Sequence, residues 1–137
     1  MFSNLTLSSD QFLNCTSLLE ATFPPKMTSS TNAFGGCSAL RKLNMNDITS
    51  IGYAALQIPC SDGHTHLYLC KEFTTFGNYW EYNGNKYTII LASTEVRANQ
   101  PQRNLYAAYV PDEAVADYKA AWPNKANVIH PISELDE

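Results

Sequence analysis

The chain has 137 residues, 45% hydrophobic and 16% charged, a balance that fits one globular domain with its own core and excludes a disordered chain. Its net charge of −4, with nine lysines and arginines dispersed along the chain, lacks the basic footprint of nucleic-acid binding and argues against an anionic membrane surface as partner. The longest apolar runs, such as Tyr87-Thr88-Ile89-Ile90-Leu91-Ala92, are too short to span a bilayer, and residues 1–7 have neither the basic region nor the apolar run of a signal peptide.

Leu5-Thr6-Leu7 has the pattern of a strand, and no polar cap precedes it. An array end of that kind is apolar, so the chain is expected either to self-associate through its N-terminal face or to be the C-terminal portion of a larger array. Phe12-Leu13-Asn14-Cys15-Thr16-Ser17-Leu18 then returns as Phe34-Gly35-Gly36-Cys37-Ser38-Ala39-Leu40. A repeat with the spacing of Cys15 to Cys37 marks a solenoid, in which one coil cannot bury its own apolar face and stacks on the next. Leu18, Ala21 and Phe23 align with Leu40, Leu43 and Met45, and the period-two spacing of the last pair in each copy predicts short strands stacked in parallel. Phe12, Phe34 and Leu56 are expected as inward plugs. Cys15 and Cys37 share one repeat position and read as small buried residues, with a disulfide between them as the alternative.

The regular repeats cover residues 1–58, and an irregular region follows over 59–104. Leu67-Tyr68-Leu69 still has the strand pattern, and Phe73-Thr74-Thr75-Phe76-Gly77 echoes Asp47-Ile48-Thr49-Ser50-Ile51-Gly52. Ahead of that strand, Cys60-Ser61-Asp62-Gly63-His64 reads as an insertion. Cys60, His64, His66 and Cys70 form a Cys-x3-His-x-His-x3-Cys pattern that offers zinc two thiolates and two imidazoles. A Cys60–Cys70 disulfide and four unlinked residues are the competing readings, since zinc sites usually carry a tighter Cys-x2-Cys or a helical His-x3-His. Farther on, aromatic residues 79–82, the Asn83-Gly84 pair and residues 87–91 predict a β-hairpin. Tyr79, Trp80, Tyr82 and Tyr87 fall in or beside it, either as core plugs or, where alternation turns them outward, as a contact surface for protein or sugar. Arg97 and Arg103 sit in a polar loop next to that cluster, with the amides of Asn99, Gln100, Gln102 and Asn104 read as solvated.

Residues 105–137 close the domain. A last strand is predicted over 105–110, followed by a helix with Asp112 as N-cap, Glu113 in its first turn and Pro123 as its stop. Val115, Tyr118 and Trp122 share one face, which makes this helix a lid over the final coil.

Two stretches carry a family resemblance: Ala33-Phe34-Gly35-Gly36-Cys37-Ser38-Ala39-Leu40 with Ile48-Thr49-Ser50-Ile51-Gly52, and Tyr109-Val110-Pro111-Asp112-Glu113-Ala114-Val115 continuing through Tyr118 to Leu135. The chain resembles the BspA-like leucine-rich-repeat proteins of bacterial surfaces and phages over roughly residues 8–58 and 105–135. The resemblance implies an α/β fold: a short leucine-rich-repeat solenoid with parallel β-strands, irregular later coils and a C-terminal capping helix. It implies a non-enzymatic module that binds protein or glycan, on a cell surface or of phage origin. The alternative is a phage-encoded protein, either a virion attachment component or a small inhibitor of a host enzyme. A third expectation is a domain clipped by zinc through Cys60, His64, His66 and Cys70. The family motif occupies core positions and assigns no site residue. No nucleophile, phosphate-loop or metalloprotease motif is present, which leaves a chance Cys60–His64 pair as the sole catalytic hint.

Overall fold

Short strands form where inward apolar residues alternate with outward polar ones, as at Lys42–Met45 and His66–Leu69. The computed structural model describes residues 15–22, 34–45, 48–52 and 56–135. Among these are β1 (Glu20–Thr22), β2 (Lys42–Met45), β3 (Ser50–Ile51), β4 (His66–Leu69), β5 (Thr75–Phe76), β6 (Thr88–Leu91), β7 (Ala107–Val110), α1 (Val115–Ala121) and β8 (Ile129–Pro131). The fold is mixed α/β: six strands form a parallel sheet in the order β1-β2-β4-β6-β7-β8, β3 and β5 form a parallel pair, and one short helix lies between β7 and β8. Phe12, Phe23 and residues 5–7, to which the sequence assigns a plug, an inward strand residue and an uncapped strand, lie outside the described residues.

The register turns the sequence echo into geometry. Glu20 lies opposite Lys42 and Ala21 opposite Leu43, the same step that separates Cys15 from Cys37. Lys42 lies opposite His66, a slightly longer step that takes up the insertion, and the original spacing returns where His66 lies opposite Thr88. The second layer keeps the same habit, with Ser50 beside Thr75 and Ile51 beside Phe76. There the backbones approach so closely that Gly77 has no room for a side chain: a Cβ would sit 2.7 Å from the Ile51 carbonyl oxygen, which accepts the Gly77 N–H at 2.7 Å.

Inward residues of the strands, among them Leu43, Met45, Leu67, Leu69, Ile89, Leu91, Ala108 and Val110, join Phe34, Ile51, Leu56, Ile58 and Phe76 in one continuous core. Aromatic rings run through it: Phe73 meets Phe76 at 4.7 Å, Phe76 meets Trp80 at 5.0 Å and Trp122 at 6.2 Å, and Trp80 meets Tyr87 at 5.7 Å. Buried hydroxyls are tied to backbone. The Tyr87 hydroxyl donates to the Ile58 carbonyl (2.8 Å) and accepts the Ile58 N–H (3.1 Å). None of the four cysteines forms a disulfide; Cys37 is buried, and burial raises its thiol pKa while Cys15 contacts it from the preceding segment.

Three sequence expectations need correction. No hairpin forms, because β6 runs parallel to both β4 and β7. The Asn83-Gly84 turn is real, with φ of 56° and 79°, but Trp80 and Glu81 plunge into the core and fold residues 78–84 into consecutive turns. That descent forces Tyr79 (φ 59°) and Tyr82 (φ 55°) into the left-handed region, a strain of roughly 1–3 kcal/mol each that the packing must hold. Asp112 does not cap a helix: a 3-10 turn (Asp112–Ala114) precedes α1 without a side-chain cap, and the Asp112 carboxylate instead accepts the Ser133 N–H at 3.0 Å. Nor does the sheet stop at the predicted last strand, since β8 pairs with β7 after the helix. The helix does cover the core as expected, with Tyr118 and Trp122 buried, Tyr118 donating to the Ser93 carbonyl (3.0 Å) and Trp122 to the Ala98 carbonyl (3.1 Å).

Leu67 is fully buried between its two neighbouring strands, so Leu67→Ala should cost about 2–5 kcal/mol in equilibrium denaturation. Burial pushes the Tyr118 hydroxyl up to about 12 and carries Tyr87 higher still. Folded chains therefore hold these protons where unfolded chains, with tyrosine near about 10, release them. The stability contributed is full below that unfolded value and drains away as pH rises through the folded ones. A spectroscopic alkaline titration should show two tyrosines ionising only together with unfolding.

Candidate binding face

Alternation along β2 and β4 leaves their even-numbered residues outward: Lys42 and Asn44, then His66 and Tyr68, all half-buried. Parallel register lines them up in two rows, Glu20–Lys42–His66 and Thr22–Asn44–Tyr68. The Lys42 ammonium lies 4.8 Å from the centre of the Tyr68 ring, a cation–π contact that ties the rows together. At the strands' N-terminal ends this face deepens into a groove of about 550 Å³, lined by Leu19, Glu20, Arg41, Lys42, His64, His66 and Tyr68. Leu19 is 53% exposed, the largest exposure among the described large apolar side chains. Arg41 and Lys42 face a single carboxylate there, Glu20, so the groove is locally cationic on an acidic chain.

Among the described residues this groove belongs to β1, β2 and β4. Above β6 the face is closed from both ends. Thr88 points outward yet is buried, because its hydroxyl donates to the Gly63 carbonyl at 2.8 Å and the Tyr106 ring lies on Gly63. Ile90 also points outward and is 5% exposed. Beside it the tail residues Ile132 and Leu135 line a second groove of about 350 Å³, together with Asn44, Tyr68 and Cys70. Tyr68 thus stands between the two grooves. Beyond the tail, Tyr109 and His130 are opposite one another with rings 5.4 Å apart.

The residues expected to bind fall elsewhere and do not form one surface. Trp80 and Tyr87 are core residues, 1% and 0% exposed. Tyr79 and Tyr82 are half-buried, their rings in edge contact at 5.6 Å, with the Arg103 guanidinium 5.0 Å from Tyr79. Arg97 is exposed and pairs with Glu95 at 3.2 Å, a surface contact of little energetic weight. Of the amides read as solvated, Gln102 is exposed, whereas two others brace the backbone: Asn99 accepts the Phe76 N–H (2.7 Å) and donates to its carbonyl (3.0 Å), finishing the edge of β5, and Gln100 accepts the Asn124 N–H. Asn104 leans on Glu81, whose carboxylate is wholly buried and has one oxygen, Oε1, without a hydrogen-bond partner among the described residues.

The zinc tetrad expected from the spacing is not assembled. Cys60 and His64 lie together with Asp62, but His66 is outward on β4, and Cys70, past the far end of that strand, directs its thiol to the Ile48 carbonyl at 3.5 Å. Cys60, His64 and Asp62 do not make a nucleophile relay either. The Cys60 thiol donates to the Lys86 carbonyl (3.2 Å), while the His64 ring meets Asp62 at 2.5 Å through Nδ1 and the Ser38 carbonyl at 3.0 Å through Nε2. The signal that would have found the open face was present in the repeat itself: once strand and register are known, the residues between the inward ones are the outward rows.

Compared with known protein families, with characterised proteins and with solved structures, the chain matches none. None of its described helices is long and apolar enough to cross a membrane.

The tail over Ile90 hangs on Asp112, whose carboxyl the Ser133 N–H holds below the ordinary carboxylate range. A depressed folded pKa stabilises above the unfolded value near 3.8 and is lost as pH falls through the lower folded one. Once the intrinsic pH dependence of exchange is divided out, the protection of the Ser133 amide should therefore fall on acidification in the wild type. In Asp112→Ala that protection should be low at every pH.

Proposed function

We propose that this chain is a solenoid of leucine-rich-repeat type that works as a non-enzymatic recognition module, contacting a protein or glycan through the open face of its six-stranded sheet. The fold part of this reading is supported by parallel strands that follow one another in chain order at a nearly constant step, that of Glu20 to Lys42 and of His66 to Thr88. The functional part rests on one observation: two in-register rows of polar and aromatic side chains, joined by Lys42 over Tyr68, line a groove at the strand ends. Between paired strands the backbone groups are spent on one another, so a ligand on the face of the sheet is read by side chains. Tyrosine supplies contact area at low entropic cost, and Arg41 and Lys42 favour a ligand with an acidic group beside its apolar face.

A glycan array and a panel of candidate protein partners would identify a ligand. Tyr68→Ala should then weaken its binding at least about tenfold with an unchanged melting temperature, as for a contact residue at the centre of an interface. Trp80→Ala should instead destabilise the fold by about 3–5 kcal/mol. Binding that survives Tyr68→Ala and disappears with Tyr79→Ala or Tyr82→Ala would move the site to the strained turn and overturn this reading.

A further inference from the structure

The extra residues between β2 and β4 place a thiol, a carboxylate and an imidazole on one short loop. The ligand atoms of Cys60, Asp62 and His64 all lie within 4.8 Å of one another. We propose that these three residues form a zinc-type metal site whose remaining coordination position faces the adjoining cleft.

The chemistry of the donor set favours this. Around the loop the polar groups are acceptors: the Asp62 carboxylate, the Ser38 carbonyl against His64 and the Lys86 carbonyl against Cys60. In the metal-free chain the Cys60 thiol and the His64 ring are hydrogen-bonded to these acceptors, and a divalent cation would displace the thiol proton and take a ring nitrogen. Sulfur, nitrogen and oxygen ligands together suit zinc, which takes three protein ligands plus an open position where a site is not purely structural. Zn–S of about 2.3 Å and Zn–N of about 2.0 Å put ligand atoms roughly 3.5 Å apart. Pairs separated by up to 4.8 Å close by about an ångström, and the 2.5 Å contact between His64 and Asp62 opens as an ion replaces it. His64 makes most of that movement by leaving the Ser38 carbonyl; its side chain is 34% exposed, and Asp62 is 71% exposed.

Cys60 is the fixed corner, and the loop around it is held from both sides. The Cys60 N–H donates to Asn85 (3.2 Å), its carbonyl accepts the Lys86 N–H (2.8 Å), and Thr65 donates to the Leu40 carbonyl (2.7 Å). Gly63, between the other two ligands, has φ of 75° and lies under the Tyr106 ring, so a side chain fits there neither by conformation nor by space. A site whose backbone is set before the metal arrives loses little entropy on binding it. The open position faces a cleft of about 400 Å³ bordered by Ser38, Pro59, Asn83 and Asn85.

Cobalt titration of metal-free protein tests the assignment. One equivalent should bind, with a thiolate-to-cobalt charge-transfer band and the strong visible absorption of a low-symmetry, four-coordinate ion, and zinc should displace it. Cys60→Ser should abolish the charge-transfer band, and Asp62→Ala and His64→Ala should each weaken binding at least about tenfold. His66→Ala and Cys70→Ser should leave it unchanged. Should Cys60→Ser fail to fold, alkylation mapped by mass spectrometry reads the same point in the wild type: zinc should protect Cys60 and leave Cys70 as reactive as before. Absence of stoichiometric binding, a charge-transfer band surviving in Cys60→Ser, or zinc protection of Cys70 in place of Cys60 would overturn the proposal.

Discussion

Each strand in this protein buries its inward side chains only because another strand arrives beside it, in parallel and in register, about one repeat later. A strand of three or four residues has too few backbone bonds and too little apolar area to persist alone. The pairing therefore carries both the hydrogen bonding and the core, and the two cannot be separated. A one-residue slip would send Leu43 and Leu67 to the outer face and Lys42 and His66 into the core. The same constraint explains the core's shape. Large side chains that come from outside the six-stranded sheet, Phe34, Leu56, Phe76 and Trp80, fill the space that short strands leave.

β6 shows what the constraint does to sequence. All four of its residues are buried, and it reads as the continuous run Thr88-Ile89-Ile90-Leu91 rather than an alternating one. Two distant segments make that possible: the loop carrying Gly63 with Tyr106 covers Thr88, and the tail settles beside Ile90. The outer surface is thereby divided. The groove lies on the strands before β6, where the outward residues are polar or aromatic.

The repeat was legible because its spacing survives unbroken where it matters. Leu18 to Leu40 and Ala21 to Leu43 predicted the first register correctly, and β3 and β5 fall within the two stretches that echo one another, though the echo did not announce them as strands. The face of Val115, Tyr118 and Trp122 was equally readable, since helical periodicity is local. What failed was non-local. Asn83-Gly84 makes the turn it signals, but only the core's demand for Trp80 decides that residues 79–82 do not become a strand. β8 has three residues, one of them a proline, too little pattern to announce a strand without β7 beside it. The aromatic cluster misled for a related reason: clustering in sequence reports a hydrophobic payload, and burial decides whether it faces a ligand or the core.

The metal ligands follow the same logic at closer range. Spacing alone grouped Cys60 with Cys70 because it counts thiols, whereas β4 intervenes and carries Cys70 to its other end, where the thiol meets Ile48. An extended strand of four residues spans roughly 13 Å, more than a tetrahedral centre can bridge. A loop that precedes a strand can gather only ligands from its own turns, and in this one the carboxylate of Asp62 takes the place the pattern gave to His66. His64 lines the groove as well as the Cys60 cleft. Its ring cannot serve both at once, so an ion at Cys60 would withdraw an imidazole from the groove wall and leave Arg41 and Lys42 to define its charge.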